Sequence, residues 1–344
     1  MSTVILVITA VCACVITALF GAVLIPFLRK LHFGQTILEI GPKWHEKKQG
    51  TPIMGGIMFI VGTLIATALG FGLSFIIAPE GEYAREFSST NRVVQLIAGV
   101  VMALLMGFIG FMDDYIKAVK KRNLGLKASQ KTFLQIAVTV GYLLTMYLAG
   151  MRTTHIPFIG DIDITSGFGL LFWPVALVFM YGFTNAVNLT DGVDGLASSV
   201  TFVVSLFYLV ATTMLANWSY NLLSAALAGA LVGFLIWNLN PARVFMGDTG
   251  SMFLGGIVVA FAFATELPIL LFLSGILYLI EAMSVVIQVT YYKRTKKRLF
   301  KMSPIHHHFE MSGWNENKIV IVFSLVALVG CALAFAILVF DLFI

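Results

Sequence analysis

Charge is scarce in this chain: Asp, Glu, Lys and Arg make up 11% of its 344 residues, against about 25% in a soluble globular domain. That scarcity excludes an ordinary soluble protein. The 59% hydrophobic fraction and mean hydropathy of +0.94 point instead to a polytopic membrane protein. Cysteine is scarcer still. Cys12, Cys14 and Cys331 all fall inside apolar segments, where a thiol behaves as a small hydrophobe, so no disulfide framework is indicated. No stretch is long and polar enough for a separate soluble domain. No internal repeat is evident, which argues against an inverted-repeat transporter.

What is abundant is long apolar sequence. A membrane-spanning helix needs about 20 apolar residues, and ten segments qualify, near 3–28, 53–78, 93–112, 131–150, 168–186, 195–215, 218–237, 251–266, 268–290 and 319–343. The first is expected to be a retained span and not a cleaved signal peptide, since no basic leader precedes it. The ninth contains Glu281 and runs into YYKRTKKRLFK, so it is expected to break or to leave the bilayer obliquely. Residues 151–167 alternate and carry turn residues, as a small hairpin would.

If the ten spans alternate, one set of loops holds 19 of the 22 Lys and Arg and the other keeps only Arg85, Arg92 and Arg152. The positive-inside rule then puts the basic loops in the cytoplasm and both termini outside. The net charge of +5 is thereby explained by topology and membrane lipid, with no nucleic-acid partner. The expected fold is all-α, one transmembrane domain with cytoplasmic loops near 29–52, 113–131, 185–194, 238–251 and 291–318.

Carboxylates gather on that same face. Asp113 and Asp114 in GFMDDYIKAVKKR sit where a span ends, with Lys117 one helical turn on. Paired hard oxygens beside lysines suit a magnesium–phosphate site, because carboxylates hold the cation and ammonium groups hold phosphate; a solvated helix end is the plainer alternative. In FTNAVNLTDGVDGLA, Asn185, Asn188, Asp191 and Asp194 recur every third residue, which lines their polar groups along one side. Capping of the next span would explain one of the four. Asp248 lies in a glycine-containing turn before an apolar helix, where backbone N–H groups attract anions. Phe245, just upstream, can stack on a planar base or simply pack. In SPIHHHFEMSG, His306, His307 and His308 stand together without a cysteine, so donors to phosphate are the more economical reading than structural zinc. Lys47, Lys48, Thr51 and Gly55–Gly56 fit either an anion site or a lipid-headgroup belt.

Together GTPIMGG, GFMDDYIK, NAVNLTDGVDGLA, NPARVFMGDTGS and PIHHHFE resemble the polyprenyl-phosphate hexose-1-phosphate transferase superfamily, and the histidine motif most resembles its bacterial phospho-N-acetylmuramoyl-pentapeptide transferases. The resemblance runs from Thr51 to Phe309 in order. It implies transfer of a phospho-sugar-peptide from UDP-N-acetylmuramoyl-pentapeptide to undecaprenyl phosphate in the bacterial inner membrane, with Mg²⁺, releasing UMP and lipid I. It further implies Asp113, Asp114, Asp248 and His306 in the catalytic centre, Asp248 as magnesium ligand, and Lys117 and Lys131 on phosphates. Asn188, Asp191, Asp194 and Phe245 match the uridine pocket, while Lys48, Thr51, Asn238, Ser251, His307 and His308 match other polar positions around the substrate. Ile53 departs from the threonine of the family's TPTMGG. A homodimer is admitted as an assembly. The runner-up is an N-acetylglucosamine-1-phosphate transferase on the same carrier; a cation-coupled transporter would place its acids near the midplane instead.

Overall fold

A computed structural model describes residues 2–31, 48–120 and 124–343. Residues 32–47 of the expected loop 29–52, with Lys43 and Lys47, and Lys121 and Arg122 of the expected loop 113–131 lie outside the described residues. Among those described, nine helices are long and apolar enough to cross a membrane, and a bent pair makes ten. They are α1 (Ser2–Lys30), α2 (Gly56–Ile77), α4 (Thr90–Val119), α5 (Ala128–Leu148), α6 (Phe172–Thr190), α7 (Leu196–Met214), α8 (Trp218–Asn238), α9 (Gly247–Ala264), the pair α10 (Leu271–Ser274) and α11 (Ile276–Thr295), and α13 (Glu316–Phe343). Two short helices, α3 (Glu82–Phe87) and α12 (Ile305–Glu310), lie in connections.

The helices are graded by burial. Within their spanning windows α9 is 89% and α8 83% buried, whereas α1 and α5 are only 28% buried. The more apolar α1 turns most of its surface outward, where lipid takes the place of protein, and α9 is packed by α4, α6 and α2. Small residues permit this closeness: a Cβ on Gly255 would meet the Thr184 backbone at 2.8 Å, and one on Gly256 the Ala103 backbone at 2.9 Å. Helix α4 has 30 residues, about 45 Å at 1.5 Å per residue. That exceeds the roughly 30 Å hydrocarbon core, so its acidic end can stand at the membrane edge.

The ninth span is broken, as its sequence suggests: the segments Pro268–Ser274 and Ile276–Thr295 meet at 78°. Beyond the break, Gln288 accepts from the Leu299 and Phe300 N–H groups and donates to the Phe300 carbonyl. This clip folds the basic 296–304 segment back and presents α12 to the helical bundle. At the opposite end, β1 (Thr153–Ile156) and β2 (Gly160–Asp163) form the expected antiparallel hairpin, with Ile156 opposite Gly160.

Candidate active site

The ends of α4 and α9 bring three carboxylates together: one oxygen each of Asp113, Asp114 and Asp248 lies within 4.8 Å of the others. Two features create this approach. Gly110 lets α4 touch the start of α9, since a Cβ there would fall 2.0 Å from the Asp248 carbonyl oxygen. Gly247, at φ +69°, turns the chain sharply into α9, a conformation that glycine adopts without a steric penalty.

The three acids have different partners. Asp114 accepts from the Thr249 hydroxyl at 2.7 Å, the Thr249 N–H at 2.9 Å and the Asp248 N–H at 3.2 Å, so it caps the otherwise unsatisfied N-terminus of α9 from a neighbouring helix. Asp113 accepts from the Leu126 N–H at 2.7 Å and pairs with Lys117 at 2.6 Å. Asp248 takes Lys131 at 3.0 Å and Lys117 at 3.3 Å on one oxygen, and the Asn188 amide at 3.1 Å on the other. Asn188 also donates to Ser251 at 2.8 Å. Seven sequence-designated residues, Asp113, Asp114, Lys117, Lys131, Asn188, Asp248 and Ser251, therefore form one polar network.

A second cluster stands beside it. Lys48 pairs with Asp194 at 2.6 Å and Glu316 at 2.7 Å, and its Nζ lies 5.9 Å from the centre of the Phe245 ring. Asp194 also accepts from the Asn240 amide and the Ala242 N–H. Against the desolvation of burial, Asp194 and Glu316 raise the Lys48 pKa and keep it cationic. Asp191, half-buried on the turn between α6 and α7, has its pKa raised well above the usual carboxylate value, first by desolvation and then by Asp248, Asp114 and Asp194. Thr51 closes a turn onto the Lys48 carbonyl, and residues 52–56 run against 245–246 through three backbone hydrogen bonds.

The remaining designated residues are engaged elsewhere. Asn238 accepts from Ser198 and donates to the Val244 carbonyl, shaping the approach to Phe245. His307 pairs with Glu310 at 2.6 Å, and His308 accepts from the Lys301 N–H. His306 is fully buried against Glu281, at 3.0 Å. Thr249, Glu316 and Glu281 were not designated from sequence. Thr249 adjoins Asp248 in the GDTGS motif and was findable; Glu316 reaches its site across 268 residues from Lys48, which no local pattern reports.

Three carboxylates without Cys or His are a hard-oxygen donor set that fits a magnesium-like cation. With two lysines facing them, the cluster carries one formal negative charge, which a divalent cation would invert to suit a polyphosphate. Comparison with known proteins agrees with this chemistry. The sequence profile of glycosyl transferase family 4 matches residues 96–266. The chain is 44% identical over 320 residues to the phospho-N-acetylmuramoyl-pentapeptide-transferase of Acetivibrio thermocellus, covering 92% of this chain and 90% of that one. It is 44% identical to the enzyme of that name from Clostridium perfringens strain 13, covering 94% and 95%. With that from Thermoanaerobacter sp. strain X514 the identity is 42%, covering 96% and 98%.

Proposed function

The chain belongs to the phospho-N-acetylmuramoyl-pentapeptide-transferase family, and from that premise we propose that its aspartate–lysine cluster carries the transfer of phospho-N-acetylmuramoyl-pentapeptide from the UDP-linked donor to undecaprenyl phosphate. The products are lipid I and UMP. The observation that carries this assignment of the site is the convergence of Asp113, Asp114 and Asp248 with Lys117 and Lys131 at the end of the spans.

Asp248, with Asp113 beside it, would hold Mg²⁺. Bound there, the ion supplies charge neutralisation for the donor diphosphate. Lys117 and Lys131 then hold phosphate oxygens, and Asn188 and Ser251 keep the Asp248 carboxylate oriented. Phosphoryl transfer depends chiefly on positioning and charge neutralisation. An oxygen of the lipid phosphate attacks the phosphorus attached to the sugar, the pyrophosphate bond breaks, and UMP leaves with the bridging oxygen. A phosphate monoester, with a second pKa of about 6, is already largely dianionic at neutral pH, so no strong base is required. Direct attack needs no covalent aspartyl-phosphate, and a trapped phospho-sugar enzyme would refute it.

The turn at 191–195, Phe245 and Lys48 form the donor's nucleoside side. The excess of Lys and Arg in the loops at this end of the bundle supports its facing the cytoplasm at a bacterial inner membrane, with both termini outside. The test is UMP release by purified protein given UDP-N-acetylmuramoyl-pentapeptide and undecaprenyl phosphate, with and without Mg²⁺, beside UDP-N-acetylglucosamine. Magnesium-dependent release with the muramoyl donor is expected; preference for UDP-N-acetylglucosamine, or no turnover in lipid, refutes the assignment.

A further inference from the structure

Two titratable side chains are buried beneath the 191–195 turn, outside the aspartate–lysine network. Glu281, on α11 after the 78° bend, and His306, on α12, are both 0% exposed and meet at 3.0 Å through Oε2 and Nδ1. Burying a carboxylate and an imidazole in apolar surroundings is unfavourable unless they satisfy each other. Here they do so with one atom apiece. Glu281 Oε1 and His306 Nε2 have no hydrogen-bond partner among the described residues.

The unpartnered Nε2 lies directly against Gly192. A Cβ at that position would fall 2.1 Å from Nε2 and 2.7 Å from Cε1, so the imidazole is wedged under the turn at a glycine, where no side chain stands in its way. Both ends of the turn are held by polar contacts, through Asn188 before it to Asp248 and Ser251, and through Asp194 near its end to Lys48, Asn240 and Ala242. Its middle rests on the ring. A carboxylate that accepts from Nδ1 fixes the tautomer and the plane of a histidine, and with them the depth at which the ring supports its neighbour.

We infer that Glu281 is a positioning residue for the donor pocket: by holding His306 through Nδ1, it sets the height of the Asp191–Gly195 turn against the nucleotide donor. This makes the broken ninth span a structural support for donor binding and assigns His306 a role through the turn. The inference rests on the reading of that turn as part of the donor pocket.

The test measures kcat and the KM of each substrate for Glu281→Leu, Glu281→Gln and Gly192→Ala, with thermal midpoints recorded for all. Removing a charge-assisted hydrogen bond is expected to matter by about a factor of ten. Glu281→Leu should raise the KM of UDP-N-acetylmuramoyl-pentapeptide about tenfold while leaving the undecaprenyl phosphate KM within twofold. Glu281→Gln, which still offers an oxygen to Nδ1–H, should restore donor KM to within about threefold of wild type. Gly192→Ala drives a methyl into the ring and should reproduce the donor KM defect from the other side of the contact; it also serves where the leucine variant does not fold. Unchanged donor KM in Gly192→Ala or in folded Glu281→Leu overturns the role, as does a glutamine variant as impaired as the leucine one. No turnover by wild type overturns the proposed function and this role with it, whereas wild-type turnover with unaltered variant donor KM overturns this role alone.

Discussion

Asp248 and Asp114 stand within reach of one another yet have different tasks. The Asp248 carboxylate faces two lysines and an amide, so Asp248→Asn should remove magnesium-dependent turnover by about 10²-fold or more, the scale of losing one preorganised electrostatic group, with little change in thermal midpoint. Asp114 accepts three hydrogen bonds from the first turn of α9. Asp114→Ala should therefore cost about 2–3 kcal/mol of stability through unsatisfied buried donors and lower the thermal midpoint well below that of Asp248→Asn. Equal midpoints in the two purified variants would contradict this division. The motif GFMDDYIK marks both acids of α4 as metal or phosphate groups. That Asp114 is the one holding α9 follows only from the approach of the two helices at Gly110.

Among the elements, the 153–163 hairpin is tied to the end of α13: His155 meets Asp161 at 2.6 Å and Asp341 at 2.7 Å, and Asp341 also accepts from the Phe158 N–H. Desolvation lowers the His155 pKa, but the two aspartates outweigh it and the net shift is upward. A raised histidine pKa gives stability that is fully present below the unfolded value of about 6.5 and is lost as pH rises through the folded value. Docking of the hairpin on α13 should thus tighten at pH 6 relative to pH 8, by about 1 kcal/mol or less because solvent screens the half-exposed ring. Hydrogen exchange of the hairpin amides, corrected for intrinsic rates, measures it, and Asp341→Asn should flatten the dependence. The hairpin itself was legible in alternation and turn residues. Its partner was not, because Asp341 is 186 residues from His155 and lies in an otherwise apolar span.

For the whole molecule, the orientation proposed from basic residues makes a direct prediction. In a variant with the natural cysteines replaced, a cysteine at Phe158 should react with an impermeant thiol reagent in intact cells, and one at Lys297 only after permeabilisation; the reverse pattern would invert the topology. The sequence by itself determined the bulk design. Scarce charge and ten long apolar runs require spanning helices, because backbone polar groups in lipid must be satisfied within each segment, and the ordered motifs single out the acids, amides and lysines. Only the tertiary structure decided which of them meet. It buried α8 and α9 at the centre, joined Lys48 to Glu316, and set His306 on Glu281 beneath Gly192. The physical reason is that a spanning helix is written in a local apolar run, whereas contacts between helices far apart in sequence depend on where small residues let backbones approach.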